Sequence, residues 1–187
     1  MLDNFNELKS TCETCQKCNL CKTRHNVVFG YGNPNANIMF IGEGPGENED
    51  LQGMPFVGRS GKLLDKYLAA IDLDREKDIF ITNIVKCRPP ENRNPSKEEM
   101  EACIPYLQNQ FLLIKPKIIV CLGRVAACKI IKPDFKVTAE HGKWFHKNDT
   151  FFMGTFHPAA LLRNPNNKPL ALEDFLALSE KALELSK

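Results

Sequence analysis

The sequence predicts an α/β fold in which a parallel sheet is covered by helices on both faces. Short segments of nearly continuous apolar residues alternate along the chain with segments whose apolar residues recur at helical spacing. Continuous apolar strands are typical of a parallel sheet that is buried on both sides. The chain has 187 residues and contains neither an internal repeat nor a linker rich in glycine or serine. We therefore expect one domain over residues 1–187.

Four apolar segments are the predicted strands. They are Ala36–Gly42, Asp78–Val85, Lys117–Leu122 and Phe151–Phe156. Each is short, rich in β-branched or aromatic residues, and bounded by glycine, proline or polar residues. Because helical segments separate them, the strands are expected to run parallel, joined by crossover connections.

The clearest helix is predicted over Ser96–Ile114. Ser96 and Glu99 form a capping box at its start, and apolar residues then follow helical spacing from Met100 to Phe111. Three other helices are predicted: Ser60–Ile71, a short helix from Gly123 to about Ile131, and Leu170–Leu185. The cysteine-rich segment that ends near Arg24 is expected to be partly helical.

Composition and charge exclude several classes of protein. With 43% hydrophobic and 26% charged residues, the chain is neither disordered nor of low complexity. No apolar run approaches the roughly 18 residues of a membrane span, and Met1–Lys9 shows no secretion signal. We expect a cytoplasmic protein without membrane contact, and a monomer by default. A net charge of +2 neither indicates nor excludes nucleic-acid binding.

Polar residues follow the ends of the predicted strands. Glu43 and Glu49 lie in a glycine-rich segment after the first strand, and Asn83 ends the second. Gly123 follows the third strand and His157 the fourth. Ligands of open α/β sheets bind beyond the carboxyl ends of the strands, so this edge is the predicted functional site.

Eight cysteines in a chain without an export signal indicate metal or iron–sulfur ligation rather than disulfides. Two ligand sets are compatible with the spacing. One takes all four ligands from Cys12, Cys15, Cys18 and Cys21, and the other joins one N-terminal C-x-x-C pair to Cys87 and Cys103. The remaining two, Cys121 and Cys128, are interpreted as core residues.

Several motifs together resemble family 4 of the uracil-DNA glycosylases, the iron–sulfur type of bacteria and archaea. They are VVFGYGNPNANIMFIGEGPGENED (Val27–Asp50), PFVGRSGKLL (Pro55–Leu64), ITNIVKCRPPENRNP (Ile81–Pro95), CLGRVAA (Cys121–Ala127), HGKW (His141–Trp144) and FHPAALLRNP (Phe156–Pro165). They occur in the family's order and span nearly the whole chain.

The resemblance implies a three-layer α/β/α fold with a four-stranded parallel sheet and one [4Fe–4S] cluster. Counted back from the VVFG motif, the family's N-terminal cysteine pair falls on Cys15 and Cys18, and the distal pair on Cys87 and Cys103. Cys12 and Cys21 are additional to the family pattern. The cluster is expected to be structural.

The resemblance also implies roles in a uracil pocket. Phe56 is similar to the aromatic residue that stacks on the flipped uracil, and Asn83 to the amide that reads its edge. Glu49 is similar to the residue that excludes the methyl group of thymine, Glu43 to the catalytic carboxylate, and His157 to the histidine that bonds uracil O2. Backbone groups of Gly42, Gly44 and Gly46 are expected to line this pocket.

The implied activity is hydrolysis of the bond between uracil and deoxyribose in single- or double-stranded DNA, which leaves an abasic site. Leu161, Leu162 and Arg163 match the loop that enters the duplex where the base has left the stack. The expected phosphate contacts are Lys62, Lys86, Arg88, Arg93, Lys143, Arg163 and Lys168.

Three other functions compete with this one. A relative that binds uracil-DNA covalently carries a histidine in an insertion after the cluster strand, whereas Glu91–Pro95 has neither histidine nor insertion. An iron–sulfur electron carrier has no need of Glu43, Asn83 and His157 at strand ends. A zinc-stabilised DNA-binding module is the third alternative, and its lack of colour distinguishes it.

Overall fold

The computed structural model describes residues 4–186, which form a six-stranded sheet between two layers of helices. The strands are β1 (Tyr31–Gly32), β2 (Ile38–Gly42), β3 (Ile79–Asn83), β4 (Ile118–Leu122), β5 (Trp144–Lys147) and β6 (Thr150–Thr155). Their order in the sheet is β1-β3-β2-β4-β6-β5. Residues 1–3, which belong to the predicted domain and to the segment searched for a signal, lie outside the described part, as does residue 187.

The four predicted strands are the central strands, and all of them run parallel. In their register, Phe40 lies opposite Ile81 on one side and Val120 on the other. The two outer strands, β1 and β5, are antiparallel to their neighbours and were not predicted. β1 has only two residues, and β5 is half-buried to exposed, so neither has the apolar run that marks a buried strand.

Helices cover both faces of this sheet. They are α1 (Phe5–Glu13), α2 (Glu47–Gln52), α3 (Arg59–Ala70), α4 (Lys97–Ile114), α5 (Arg124–Ile130), α6 (Val137–Glu140), α7 (Pro158–Arg163) and α8 (Lys168–Glu184). Short 3₁₀ turns span Asn19–Lys22, Pro90–Asn92 and Pro165–Asn167. The predicted helices are therefore present, with ends within two residues of the expected positions.

The side chains of each central strand divide between two cores, because successive residues of a strand point to opposite faces. In β2, Ile38 and Phe40 pack with residues of α3, α7 and α8. Met39 and Ile41 pack with residues of α4 and α5 on the other face. The three-layer α/β/α fold around a parallel four-stranded centre is confirmed.

The capping box predicted at the start of α4 is present. The Glu99 N–H donates to Ser96 Oγ (3.2 Å), and the Ser96 N–H donates to the Glu99 carboxylate (2.7 Å). The same carboxylate accepts two hydrogen bonds from Arg93, at 2.7 and 2.8 Å. The start of α4 is thereby fixed to the proline-rich segment that precedes it.

No helix among residues 4–186 combines the length and the apolar character that crossing a membrane requires.

Replacing Ser96 with alanine removes the acceptor for the first turn of α4. We expect the free energy of unfolding to fall by about 1 kcal/mol. Urea titration followed by circular dichroism measures it. Ser10→Ala, in the middle of the exposed face of α1, is the control and is expected to change stability by less than about 0.5 kcal/mol. Equal effects of the two substitutions would contradict a capping role.

Candidate functional site

A cavity of about 740 Å³ opens at the carboxyl ends of the central strands. This rim cavity brings together six residues that the sequence singled out, namely Glu43, Glu49, Phe56, Asn83, His157 and Arg163, with Gly44 and Gly46 also in its wall. These residues lie at or after the ends of three central strands, β2, β3 and β6, and Gly123 after β4 also lines the cavity. The predicted site at the carboxyl edge of the sheet is thus a single cavity in the structure.

Asn83, the last residue of β3, is buried at the base of the cavity, and its side-chain Oδ1 has no hydrogen-bond partner. A buried amide oxygen without a partner costs free energy unless a ligand supplies a donor. The Asn83 carbonyl, in contrast, accepts a hydrogen bond from Lys86 Nζ (2.7 Å). The backbone is therefore fixed while the amide remains available to a ligand.

Gly42 ends β2 beside Asn83. A Cβ atom at this position would overlap Asn83 Oδ1 and would lie 2.7 Å from Cζ of Phe56. Gly42 is buried below the cavity rather than part of its wall. Only glycine leaves room for the amide and the aromatic ring to approach each other here.

Phe56 forms an apolar wall of the cavity. Its ring centroid lies 5.7 Å from that of His157, with the planes tilted by 31°. Just beyond it, the N–H groups of Val57 and Gly58 donate to Glu49 Oε1 at 2.9 and 2.8 Å. The Glu49 carboxylate is therefore held in place by the loop that carries Phe56.

His157 precedes α7 and caps it, because its Nδ1 accepts the Ala159 N–H at 3.1 Å. Burial, together with the positive charge of Arg163, lowers the pKa of His157 to about 4. The imidazole is consequently neutral at pH 7. With Nδ1 as the acceptor, the ring proton is on Nε2, which makes that nitrogen a neutral hydrogen-bond donor.

Glu43 begins the glycine-rich segment after β2 and lines the cavity near Arg124. Burial raises the pKa of Glu43, and the positive charge of Arg124 opposes that shift. The Glu43 carbonyl accepts the Val85 N–H (3.1 Å), which continues the pairing of β2 with β3 beyond the sheet. A partly desolvated carboxylate on a fixed backbone is suited to stabilising positive charge nearby.

The structure separates the three residues expected to enter DNA. Arg163 is exposed and lines the cavity, and Leu162 is half-buried. Leu161 is 1% exposed within the core beneath α7, so its side chain cannot reach a DNA duplex in this conformation. The sequence pattern missed this because a six-residue helix gives too short a periodicity to show which leucine faces inward.

The phosphate contact expected of Lys86 is wrong, because this side chain is only 1% exposed. Its Nζ donates to Thr82 Oγ1 (2.6 Å), the Asn83 carbonyl (2.7 Å) and Gln110 Oε1 (2.8 Å). Among the other expected phosphate contacts, Arg93 already binds Glu99 through both terminal nitrogens. The sequence does not predict this burial, because nothing in the local pattern marks a charged residue as buried.

Six cysteines line a second, small cavity between α1, the first 3₁₀ turn, the end of β3 and α4. They are Cys12, Cys15, Cys18, Cys21, Cys87 and Cys103. Arg24 donates to Cys87 Sγ and the Lys86 N–H donates to Cys103 Sγ, both at 3.3 Å. Within residues 4–186, no three potential ligands are close enough together to form a metal site as they stand. Cys121 lies in the core, and Cys128 packs against it.

Comparison with known proteins identifies relatives along nearly the whole chain. Residues 29–178 match the family model of the uracil DNA glycosylase superfamily. The chain is 45% identical to the type-4 uracil-DNA glycosylase of Sulfurisphaera tokodaii, over 97% of this chain and 86% of the relative. It is also 45% identical to the Saccharolobus solfataricus protein of that name, over 98% and 91%, and 42% identical to the Archaeoglobus fulgidus one, over 96% and 94%.

The low pKa of His157 predicts a specific pH dependence of stability. The unfolded chain takes up a proton on this histidine below about pH 6.5, whereas the folded protein does so only near pH 4. The contribution of His157 to the free energy of unfolding is therefore constant above pH 6.5. As the pH falls from 6.5 towards 4, the free energy of unfolding decreases by on the order of 3 kcal/mol. His157→Gln is expected to remove this part of the loss.

Urea titrations of both proteins between pH 4 and 8 measure the difference. NMR titration of the histidine rings provides an independent check, because the His157 signals are expected to stay constant from pH 8 to 5. A His157 midpoint near 6.5 would contradict the assignment of a neutral donor.

Proposed function

Because the chain belongs to the uracil DNA glycosylase superfamily, we propose that it is a DNA repair enzyme that excises uracil by hydrolysing its bond to deoxyribose. The buried, unpartnered Oδ1 of Asn83 is the observation that carries this proposal, because it is an acceptor that still needs a donor, on a residue that lines the rim cavity. Residues 1–187 act in it as one domain, supported by a match that spans residues 29–178.

Uracil satisfies the Asn83 amide in a way that cytosine does not. Uracil offers a donor at N3–H and an acceptor at O4, which match Oδ1 and Nδ2 of an asparagine. Cytosine presents an acceptor at N3 and a donor at its amino group, so in the same pose both partners are wrong. Leaving the buried Oδ1 without a donor makes this mismatch costly.

The walls of the rim cavity position the base between aromatic and carboxylate groups. The Phe56 ring provides a flat surface on which a flipped uracil stacks. In this proposal the Glu49 carboxylate, which the N–H groups of Val57 and Gly58 hold in place, excludes the methyl group of thymine. The backbone of Gly44 and Gly46 completes the wall around the base.

Cleavage of the bond between C1′ and N1 leaves negative charge on the base and positive charge on the sugar. The neutral Nε2–H of His157 donates to uracil O2 as negative charge develops there, which lowers the barrier without a proton transfer. The Glu43 carboxylate stabilises the cationic sugar and orients the attacking water. The two groups thus act on opposite charges of one transition state.

DNA approaches the open side of the cavity, because the target base is inaccessible within a stacked duplex. In this proposal Arg163, which is exposed and lines the cavity, binds a phosphate, and Leu162 is the neighbouring apolar side chain. Single- and double-stranded DNA are both substrates in this proposal. A monomeric state and a cytoplasmic location, expected from the sequence, remain part of it.

We also propose that the cysteine cavity holds a [4Fe–4S] cluster. Four cysteine thiolates are the usual ligands of such a cluster, and hydrogen bonds to its sulfurs are common. Here Arg24 donates to Cys87 Sγ and the Lys86 N–H donates to Cys103 Sγ. Cys15, Cys18, Cys87 and Cys103 are the proposed ligands. Bound there, the cluster would tie the N-terminal segment and the segment before α4 to the sheet, which is a structural role.

Excision from a labelled oligonucleotide with one uracil, followed by alkaline cleavage of the abasic product, tests the function. We expect turnover by the wild-type protein. Asn83→Ala and Glu43→Gln are each expected to lower kcat/KM by about 100-fold. Asn109→Ala and Glu101→Gln make the same chemical changes on α4, outside the rim cavity, and are expected to leave the rate unchanged.

The absence of cleavage by a folded, iron-loaded sample would overturn the proposed function. A shifted, alkali-stable band would then indicate a covalent uracil-DNA binder. No band at all would indicate an electron carrier or a DNA-binding module.

Iron analysis of cysteine variants tests the cluster. The wild-type protein is expected to be brown, with about four irons per chain. Cys87→Ala and Cys15→Ala are expected to lose iron and thermal stability, because removing one ligand opens the cluster. Cys12→Ala, Cys21→Ala and the core variant Cys121→Ala are expected to keep it. A colourless, zinc-containing protein, or iron retained in Cys87→Ala, would contradict this ligand set.

A further inference from the structure

The backbone of Phe56 is in a conformation that a phenylalanine rarely adopts on its own. Its φ angle is +53°, in the left-handed region that favours glycine. Side chains with a Cβ atom persist there only where the surrounding structure holds them. The aromatic wall of the rim cavity therefore depends on contacts that fix this one residue.

Arg75 makes the main contacts of this kind. Its Nη2 donates to both carbonyls that flank the turn, Pro55 at 3.2 Å and Phe56 at 2.8 Å. Its Nη1 lies 3.5 Å from the half-exposed carboxylate of Asp65. Its Nε is buried without a hydrogen-bond partner. The guanidinium thus binds the carbonyls of Pro55 and Phe56 while its buried Nε–H stays without an acceptor. Its position satisfies the turn at Phe56 at the cost of one unpaired donor.

The turn that carries Arg75 is itself fixed. Asp74 Oδ1 accepts the N–H groups of Glu76 (2.8 Å) and Lys77 (3.0 Å). Asp78 Oδ2 accepts the Asp74 N–H at 2.7 Å. Because the residues on both sides are held in this way, the guanidinium extends from a rigid base towards the loop before α3.

Packing removes the space through which Phe56 could relax. A Cβ atom at Gly61, in the first turn of α3, would overlap the Phe56 carbonyl oxygen that Arg75 binds. At the other end of the residue, a Cβ at Gly42 would lie 2.7 Å from the ring. Backbone and ring are both in close contact with their surroundings, so the position of the ring is coupled to that of the carbonyl that Arg75 binds.

We propose that Arg75, which lies outside the rim cavity, is a positioning residue that holds the ring of Phe56 in place for stacking on the substrate base. The inference rests on the proposed function, since it concerns the wall against which that base stacks. Arg75 touches neither the cavity nor the substrate, and its effect passes through Phe56 alone. Nothing in the local sequence marks it, because Arg75 lies 19 residues beyond Phe56.

A double-mutant cycle tests whether Arg75 acts through Phe56. The variants are Arg75→Met, Phe56→Ala and the two combined, with kcat/KM measured on a single-stranded uracil oligonucleotide. Arg75→Met is expected to lower kcat/KM by about 10-fold or more, because a small misplacement of a binding group is costly. In the Phe56→Ala background the same substitution is expected to cost nothing further, since no ring remains to be positioned.

Asp65→Asn is the matched control, because it removes the ion pair of Arg75 and leaves both carbonyl hydrogen bonds. It is expected to keep wild-type kcat/KM. Thermal unfolding and near-ultraviolet circular dichroism establish that each variant is folded at the assay temperature. If Arg75→Met does not fold, the same cycle with Arg75→Lys, which retains a charge but loses the paired donors, takes its place.

A loss of kcat/KM that is the same with and without the Phe56 ring would overturn the proposal and leave Arg75 with a general structural role. Unchanged activity of Arg75→Met would overturn it as well. Failure of the proposed function is distinguishable from both results, because in that case the wild-type protein itself would not excise uracil.

Discussion

The close approach of three groups at the carboxyl ends of β2 and β3 is the constraint on which the site depends. Parallel pairing sets Gly42 directly opposite Asn83, and the ring of Phe56 lies over the glycine, which has no side chain to keep it away. An unpartnered amide oxygen and an aromatic face are thereby held side by side in a buried place. The unpartnered oxygen gains no stability from this arrangement, which is consistent with a site that a ligand completes.

Separate hydrogen-bonded supports hold these two groups. Asn83 is held through its carbonyl by the buried ammonium of Lys86, which also bonds Gln110 on α4. Since α4 carries Cys103, the amide is connected to the helix that borders the cysteine cavity. Phe56 is held through its carbonyl by Arg75. The amide and the ring therefore have separate supports.

Burial shifts the pKa values of His157 and Glu43 in opposite directions. Burial, with the charge of Arg163, lowers the pKa of His157 to about 4 and keeps the ring neutral, whereas burial of Glu43 raises its pKa against the opposing charge of Arg124. In the proposed reaction, the neutral donor and the carboxylate would provide opposite partners for the two charges that develop. Both follow strand ends, so the sheet sets the distance between them.

The sequence by itself determined the central strands, the capped helix and the grouping of Glu43, Asn83 and His157, because each depends on local pattern and on the rule that parallel strands end at one edge. The tertiary structure decided which charged and apolar side chains are buried, which strands form the edges of the sheet and which distant residues are in contact. It buried Leu161 and Lys86, which the sequence had assigned to DNA contact, added two antiparallel edge strands, and brought Arg75 to the carbonyl of Phe56. Burial and long-range hydrogen bonds arise from packing between segments that are distant in the chain. The residues next to a position in the sequence therefore do not reveal which residues it contacts in the fold.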